Sequence, residues 1–156
     1  MGLQENFQKE TVEKLDLREA IKVSPKSTLR NAIALMRENK IGCVVVVGGD
    51  GIPVGFFTES MVVELLSHGS LPLADPIIEH MSQRFPWVRN SDPVADVVGA
   101  MELKNTRLLC VLDSDDQVVG ITGQRGVMEY VAEHFPGQVM VQRVGQSPFL
   151  SDREGA

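Results

Sequence analysis

Apolar positions along the chain change period in a regular order. Leu29, Ala32, Ile33 and Met36 follow i, i+3, i+4 and i+7, which predicts a helix with one buried stripe and with Ser27 or Thr28 available as its N-cap. A β-branched run over 43–47 follows, then Gly48, Gly49, Asp50 and Gly51, then a second run over 53–57, which together predict a hairpin. Met61, Val62, Leu65 and Leu66 return to helical spacing, and a short strand is expected over 21–23. The same order comes back after 65 residues, taking Val23 to Val88, Met36 to Met101, Asp50 to Asp115, Gly55 to Gly120 and Val62 to Val127. The second copy has a strand over 87–89, a helix burying Val94, Val97, Val98 and Met101, and a hairpin from 108–112 and 118–122. It closes with a helix carrying Val127, Met128, Tyr130 and Val131. Asp92 and Pro93 are expected as N-cap and first residue of the second copy's first helix. A gap-free repeat that also aligns turn residues is an internal duplication rather than a shared rhythm.

The pattern therefore predicts an α/β (α+β) chain of two β-α-β-β-α repeats. Gly69, Ser70, Pro72 and Pro76 break regular structure between the halves. We place an N-terminal amphipathic helix over 1–16 on Leu3, Phe7, Val12 and Leu15. The repeats follow over 17–70 and 71–137, and an extended, partly disordered C-terminal arm over 138–156.

Charge and composition narrow the chemistry. Fifteen Lys and Arg against 21 Asp and Glu give a formal net charge of −6, which repels phosphate backbones and anionic lipid, so neither nucleic acid nor a membrane is expected as partner. The longest apolar stretch, 41–47, is far short of the roughly 20 residues that span a bilayer. Cys43 and Cys110 lie inside apolar runs and read as buried, reduced thiols of a cytoplasmic protein. His68, His80 and His134 lack metal-ligand spacing with one another or with either cysteine, so no metal is expected. With no nucleophile motif and no carboxylate pair in a predicted cleft, no catalytic residue is expected and the chain reads as a non-enzyme.

The segments Gly51-Ile52-Pro53-Val54-Gly55-Phe56-Phe57-Thr58 and Gln117-Val118-Val119-Gly120-Ile121-Thr122, each running from a hairpin strand into a helix, resemble the tandem CBS-domain family, the Bateman module. The resemblance covers about 17–134. It implies a stand-alone regulatory pair that forms a homodimer through its helix faces and signals to a partner protein. It also implies repeats packed sheet to sheet with pseudo-twofold symmetry, leaving two clefts that bind AMP, ADP, ATP or S-adenosylmethionine as regulatory ligands, with no cofactor required. The family signature is a Gly, two apolar residues, a Thr or Ser, two variable residues and an Asp that grips the ribose. Gly55 and Thr58 match in the first half, with Met61 at the Asp position. Gly120 matches in the second, with Gly123 and Gly126 at the hydroxyl and Asp positions. Arg125, in a variable position, and Arg107, just before its strand, are the cationic candidates, and Arg89 is a further one. The ligand-binding set is thus Gly55, Thr58, Arg107, Gly120, Gly123 and Arg125. An anion is expected at the Gly120 to Arg125 turn and a hydroxyl or phosphate at Thr58. The missing carboxylates leave a second reading open, a ligand-free dimerisation or adaptor module.

Overall fold

A computed structural model describes residues 2–136, so the arm expected over 138–156 lies outside the described residues. The elements are α1 (Leu3–Lys9), β1 (Lys22–Val23), α2 (Leu29–Asn39), β2 (Cys43–Val47), β3 (Pro53–Thr58), α3 (Glu59–Ser67), β4 (Trp87–Arg89), α4 (Val94–Lys104), β5 (Leu108–Leu112), β6 (Val118–Gly123) and α5 (Gln124–His134). Short 3-10 turns, Val12–Lys14 and Ile77–Glu79, precede the two halves. Each half builds one three-stranded sheet, ordered β1-β2-β3 and β4-β5-β6, in which the first pair is parallel and the second antiparallel.

The duplication extends to backbone detail. The ladder slips between Val46 and Val47 and again between Val111 and Leu112. Left-handed residues end α2 and α4, Lys40 at φ 51° and Asn105 at φ 47°, where helices commonly close. The hairpin turns place Gly51 at φ 81° and Asp116 at φ 60°. Arg89 holds that second turn, donating from Nη1 to the Asp113 carbonyl and from Nη2 to Asp116 Oδ1, both at 2.7 Å. It is a clamp on the hairpin and not a ligand group.

Both faces of the central strands are buried, which is why they read as unbroken apolar runs. Val44 and Val46 face α2 and α3 in one core, and Leu109 and Val111 face α4 and α5 in another. Cys43, Val45, Cys110 and Leu112 point the other way, into a third cluster that joins the two sheets. The helices thus lie outside and the sheets meet inside.

Two local expectations differ from the structure. The N-terminal helix stops at Lys9, because the backbone of the next residues is spent on the second half: Val12 N–H donates to the Asp92 carbonyl (2.9 Å), Glu13 N–H to Asn90 (3.0 Å), and Val94 N–H to Glu10 (2.9 Å). Helix α4 starts at Val94 with Pro93 as its cap residue. Asp92 instead accepts from the Arg89 N–H at 2.8 Å, so it shapes the turn and leaves the helix end uncapped by a side chain.

Val12 and Ile77, one in each 3-10 turn and 65 residues apart, are both fully buried, and each sits in the core of the half it does not precede by turn order: Val12 with Val88, Val97 and Tyr130, Ile77 with Val23, Met36 and Phe57. The chain from each turn then runs as a strap along the last strand of that core's sheet. Arg18 pairs with Ile121 on one side and Ser82 with Phe56 on the other.

Candidate functional site

The straps explain the two signature glycines. A Cβ on Gly55 would collide with the Met81 side chain, and one on Gly120 would lie 2.9 Å from Leu17 Cβ and 3.0 Å from the Arg18 carbonyl. These glycines let the straps cross the sheets, and neither lines a cleft.

The first cleft, about 540 Å³, is walled by the β3–α3 turn, the strap residues Ser82 to Pro86, and the α4–β5 loop of the other half. Thr58 stands at its rim and caps α3 by accepting from the Met61 N–H at 3.4 Å, and Ser60 and Met61 follow on the same turn. Arg84, Lys104 and Arg107 bring three cations against the single carboxylate of Glu59. Phe85 lines the cleft and stacks on Phe56, ring centroids 6.3 Å apart and planes 26° apart.

The second cleft has the same parentage and different contents. It measures about 300 Å³ and is lined by Asp16, Arg18, Thr122, Gly123, Arg125, Gly126 and Glu129, among others. Arg125 is mostly exposed and its Nε pairs with Glu129 Oε1 at 3.0 Å, one helical turn away. The anion expected at this turn therefore meets two cations matched by two carboxylates. Gly123 is extended, so its requirement is space: a Cβ there would collide with the Arg107 carbonyl. A Cβ on Gly126 would come within 2.7 Å of Thr122 Oγ1, a buried hydroxyl without a hydrogen-bond partner.

The sequence-derived set is thus split. Thr58 and Arg107 share the first cleft, Gly123 and Arg125 belong to the second, and Gly55 and Gly120 lie under the straps. Arg84, Lys104 and Ser60 were missed. Phe85 beside Pro86 carried a signal, an aromatic next to a strand, whereas Arg84 and Lys104 become neighbours only when the halves pack. His80 also has an unforeseen setting, its Nε2 lying 2.8 Å from Asp75 Oδ2 with Glu79 close by. Burial pushes both thiols up to about 12, Cys43 with a further contribution from the adjoining Cys110, so neither is a nucleophile at neutral pH. Among the described residues no helix is long and apolar enough to cross a membrane.

Known proteins place this architecture. The model of the CBS domain matches twice, over 12–68 and 77–133. An uncharacterized protein of Methanopyrus kandleri is 31% identical over 115 residues, covering 72% of this chain and 58% of that protein, so the chain spans little more than half the length of this curated relative. The crystal structure of the CBS domain pair of protein MJ0100, in complex with 5'-methylthioadenosine and S-adenosyl-L-methionine, superposes with a TM-score of 0.70 at 19% identity, covering 80% of this chain and 97% of that one. That of CBSX2 in complex with AMP gives 0.68 at 20%, covering 79% and 96%. Two matches at a constant offset, on two copies of one strand-helix-hairpin-helix unit whose sheets join back to back, make the chain a member of the CBS-domain family, carrying a tandem pair of CBS domains.

Proposed function

We propose that this CBS pair is a regulatory module without catalytic activity, which binds an anionic adenosine compound in the first cleft and passes its occupancy to a partner protein. The observation that carries this reading is the union in one cleft of three cations with an aromatic side chain: Arg84, Lys104 and Arg107 suit a phosphate or carboxylate, and Phe85 offers a face to a purine. The adenosine compounds held by MJ0100 and CBSX2 support the ligand class. AMP, ADP and ATP are the anionic candidates; S-adenosylmethionine, which offers a carboxylate but carries net positive charge, is the fourth compound to compare. With Met61 in place of a ribose-gripping carboxylate, selectivity between ribose and deoxyribose is weak.

The occupancy signal requires a surface to act on. Of the helix residues expected at a dimer interface, Met61, Val62, Leu65, Val127 and Tyr130 serve the cores, whereas Leu66 and Met128 stay exposed, joined by Val63. These three apolar side chains on α3 and α5 are the basis for a homodimer. Met61 and Gly126 favour the second reading, a constitutive adaptor that binds no nucleotide.

Thermal shift with AMP, ADP, ATP and S-adenosylmethionine decides between the two. A ligand at a hundred times its dissociation constant adds about 2.7 kcal/mol, and the regulatory reading requires a rise in Tm with at least one of them. A flat response to all four leaves the adaptor.

A further inference from the structure

We infer that Arg18 is a latch that narrows the second cleft, so that this CBS pair binds one ligand per chain, in the first cleft. The ligand part of this inference rests on the regulatory reading above, and the latch itself stands on geometry alone.

The two straps provide an internal control. Arg18 exchanges both backbone hydrogen bonds with Ile121, at 2.9 and 2.8 Å, and Ser82 exchanges the same two with Phe56, both at 2.9 Å. Ile121 and Phe56 are repeat partners, 65 residues apart, so Ser82 occupies the ladder position of Arg18. The backbones match and the side chains do not. Arg18, which lines the second cleft, donates from Nη2 to the carbonyl of Lys40 at 2.9 Å. Lys40 is the left-handed residue that ends α2, in the first half, while Ile121 belongs to the sheet of the second. One half-buried side chain at the second cleft thus ties the second half's strap to the end of the first half's helix.

Ser82 has no such reach. Its hydroxyl stays within its own turn, accepting from Arg84 N–H at 3.2 Å and donating to the Arg84 carbonyl at 3.3 Å. The counterpart of Lys40 is Asn105, which lines the first cleft with nothing from Ser82 spanning to it. The difference appears in the volumes, about 540 Å³ where serine stands and about 300 Å³ where arginine does. It also appears in charge. Arg18 and Arg125 balance Asp16 and Glu129 in the second cleft, so the cationic surplus that attracts an anion exists only in the first.

The latch is tested by exchanging the two residues. Arg18→Ser copies the first strap into the second cleft. In the full chain, checked as folded by circular dichroism, hydrogen exchange over 40–43 should accelerate about tenfold, as expected for a lost charge-assisted hydrogen bond, while exchange over 105–108 stays unchanged. Unaltered exchange over 40–43 in the folded variant overturns the latch, whatever the protein binds. Arg18→Met, which keeps a long apolar stem and removes every donor, serves as a second variant if the serine form does not fold, with the same outcome required. Calorimetry with AMP tests the consequence. Wild type should bind one AMP per chain, and Ser82→Arg, which builds a second latch, should weaken binding about tenfold or more. Two AMP per chain in the wild type, or binding that Ser82→Arg leaves untouched, overturns the one-site inference. If AMP, ADP, ATP and S-adenosylmethionine do not bind at all, the regulatory reading falls and the one-site inference with it, while the exchange measurement still decides the latch.

Discussion

Thr58 and Gly123 occupy the same place in the two halves, the last residue of a hairpin strand and the cap of the helix behind it. Thr58 has room for a side chain and uses it to satisfy a helix N–H, whereas Gly123 is pressed against the Arg107 carbonyl and can carry nothing. The same comparison holds at the strap, where the Ser82 hydroxyl stays within its own turn and Arg18 reaches the carbonyl of Lys40 in the other half. Duplication conserved the backbone hydrogen bonds in both places, Glu59 N–H to the Gly42 carbonyl matching Gln124 N–H to the Arg107 carbonyl, and the Ser82 ladder matching that of Arg18. The clefts diverged through single side chains, so two clefts of common origin differ in volume and charge without a change of fold.

The largest effect is expected where the comparison is steric. Gly123→Ala forces a methyl group onto a backbone carbonyl and should cost at least about 3 kcal/mol, while Thr58→Ala loses only a cap, about 1 kcal/mol. Denaturant melts of the two variants measure the contrast, and similar losses would break it.

The sheet seam between the clefts supplies a pH test. Both thiols have their folded values raised from 9.0 to about 12, chiefly by burial. Below about pH 9 neither state ionises and stability is flat on their account. Between there and about 12 the unfolded chain releases protons that the folded chain keeps, so stability falls as pH rises, by about 1.4 kcal/mol per pH unit for each thiol. A Cys43→Ala, Cys110→Ala double variant should lose much of that slope. Until unfolding, both thiols should resist a thiol reagent at pH 8.

Binding should separate the two arginines that the sequence alone treats alike. Arg107→Ala should weaken AMP about tenfold, the lower end for a charge-assisted contact, and Arg125→Ala should leave it unchanged, both read by calorimetry. The reverse result would move the site to the second cleft. The smallest effect concerns stability: Arg125 is 75% exposed and holds only an i,i+4 ion pair, so its loss should cost about 0.3–0.5 kcal/mol, less at high salt.

Much of this molecule was legible because its signals are local. The helix stripes from Leu29 and Val94, the hairpin turns and the 65-residue repeat depend on neighbours a few positions away, and strands β2, β4 and β5 fall where the pattern puts them. The resemblance to CBS domains rests on the same local segments. The straps are different in kind. Val12 and Ile77 are single apolar residues in 3-10 turns too short to show a period, and the partners of Val12 lie some eighty residues along the chain, so nothing near them in sequence announces that they complete a core. The sequence by itself determined two copies of one unit and the positions of their turns, because propensity and periodicity act along the chain. Only the tertiary structure decided that Gly55 and Gly120 serve passing straps, that Arg84, Lys104 and Arg107 share one cleft, and that Arg18, at the other, reaches the end of α2. Those outcomes depend on distances across the interface between the halves, which are set when the sheets pack.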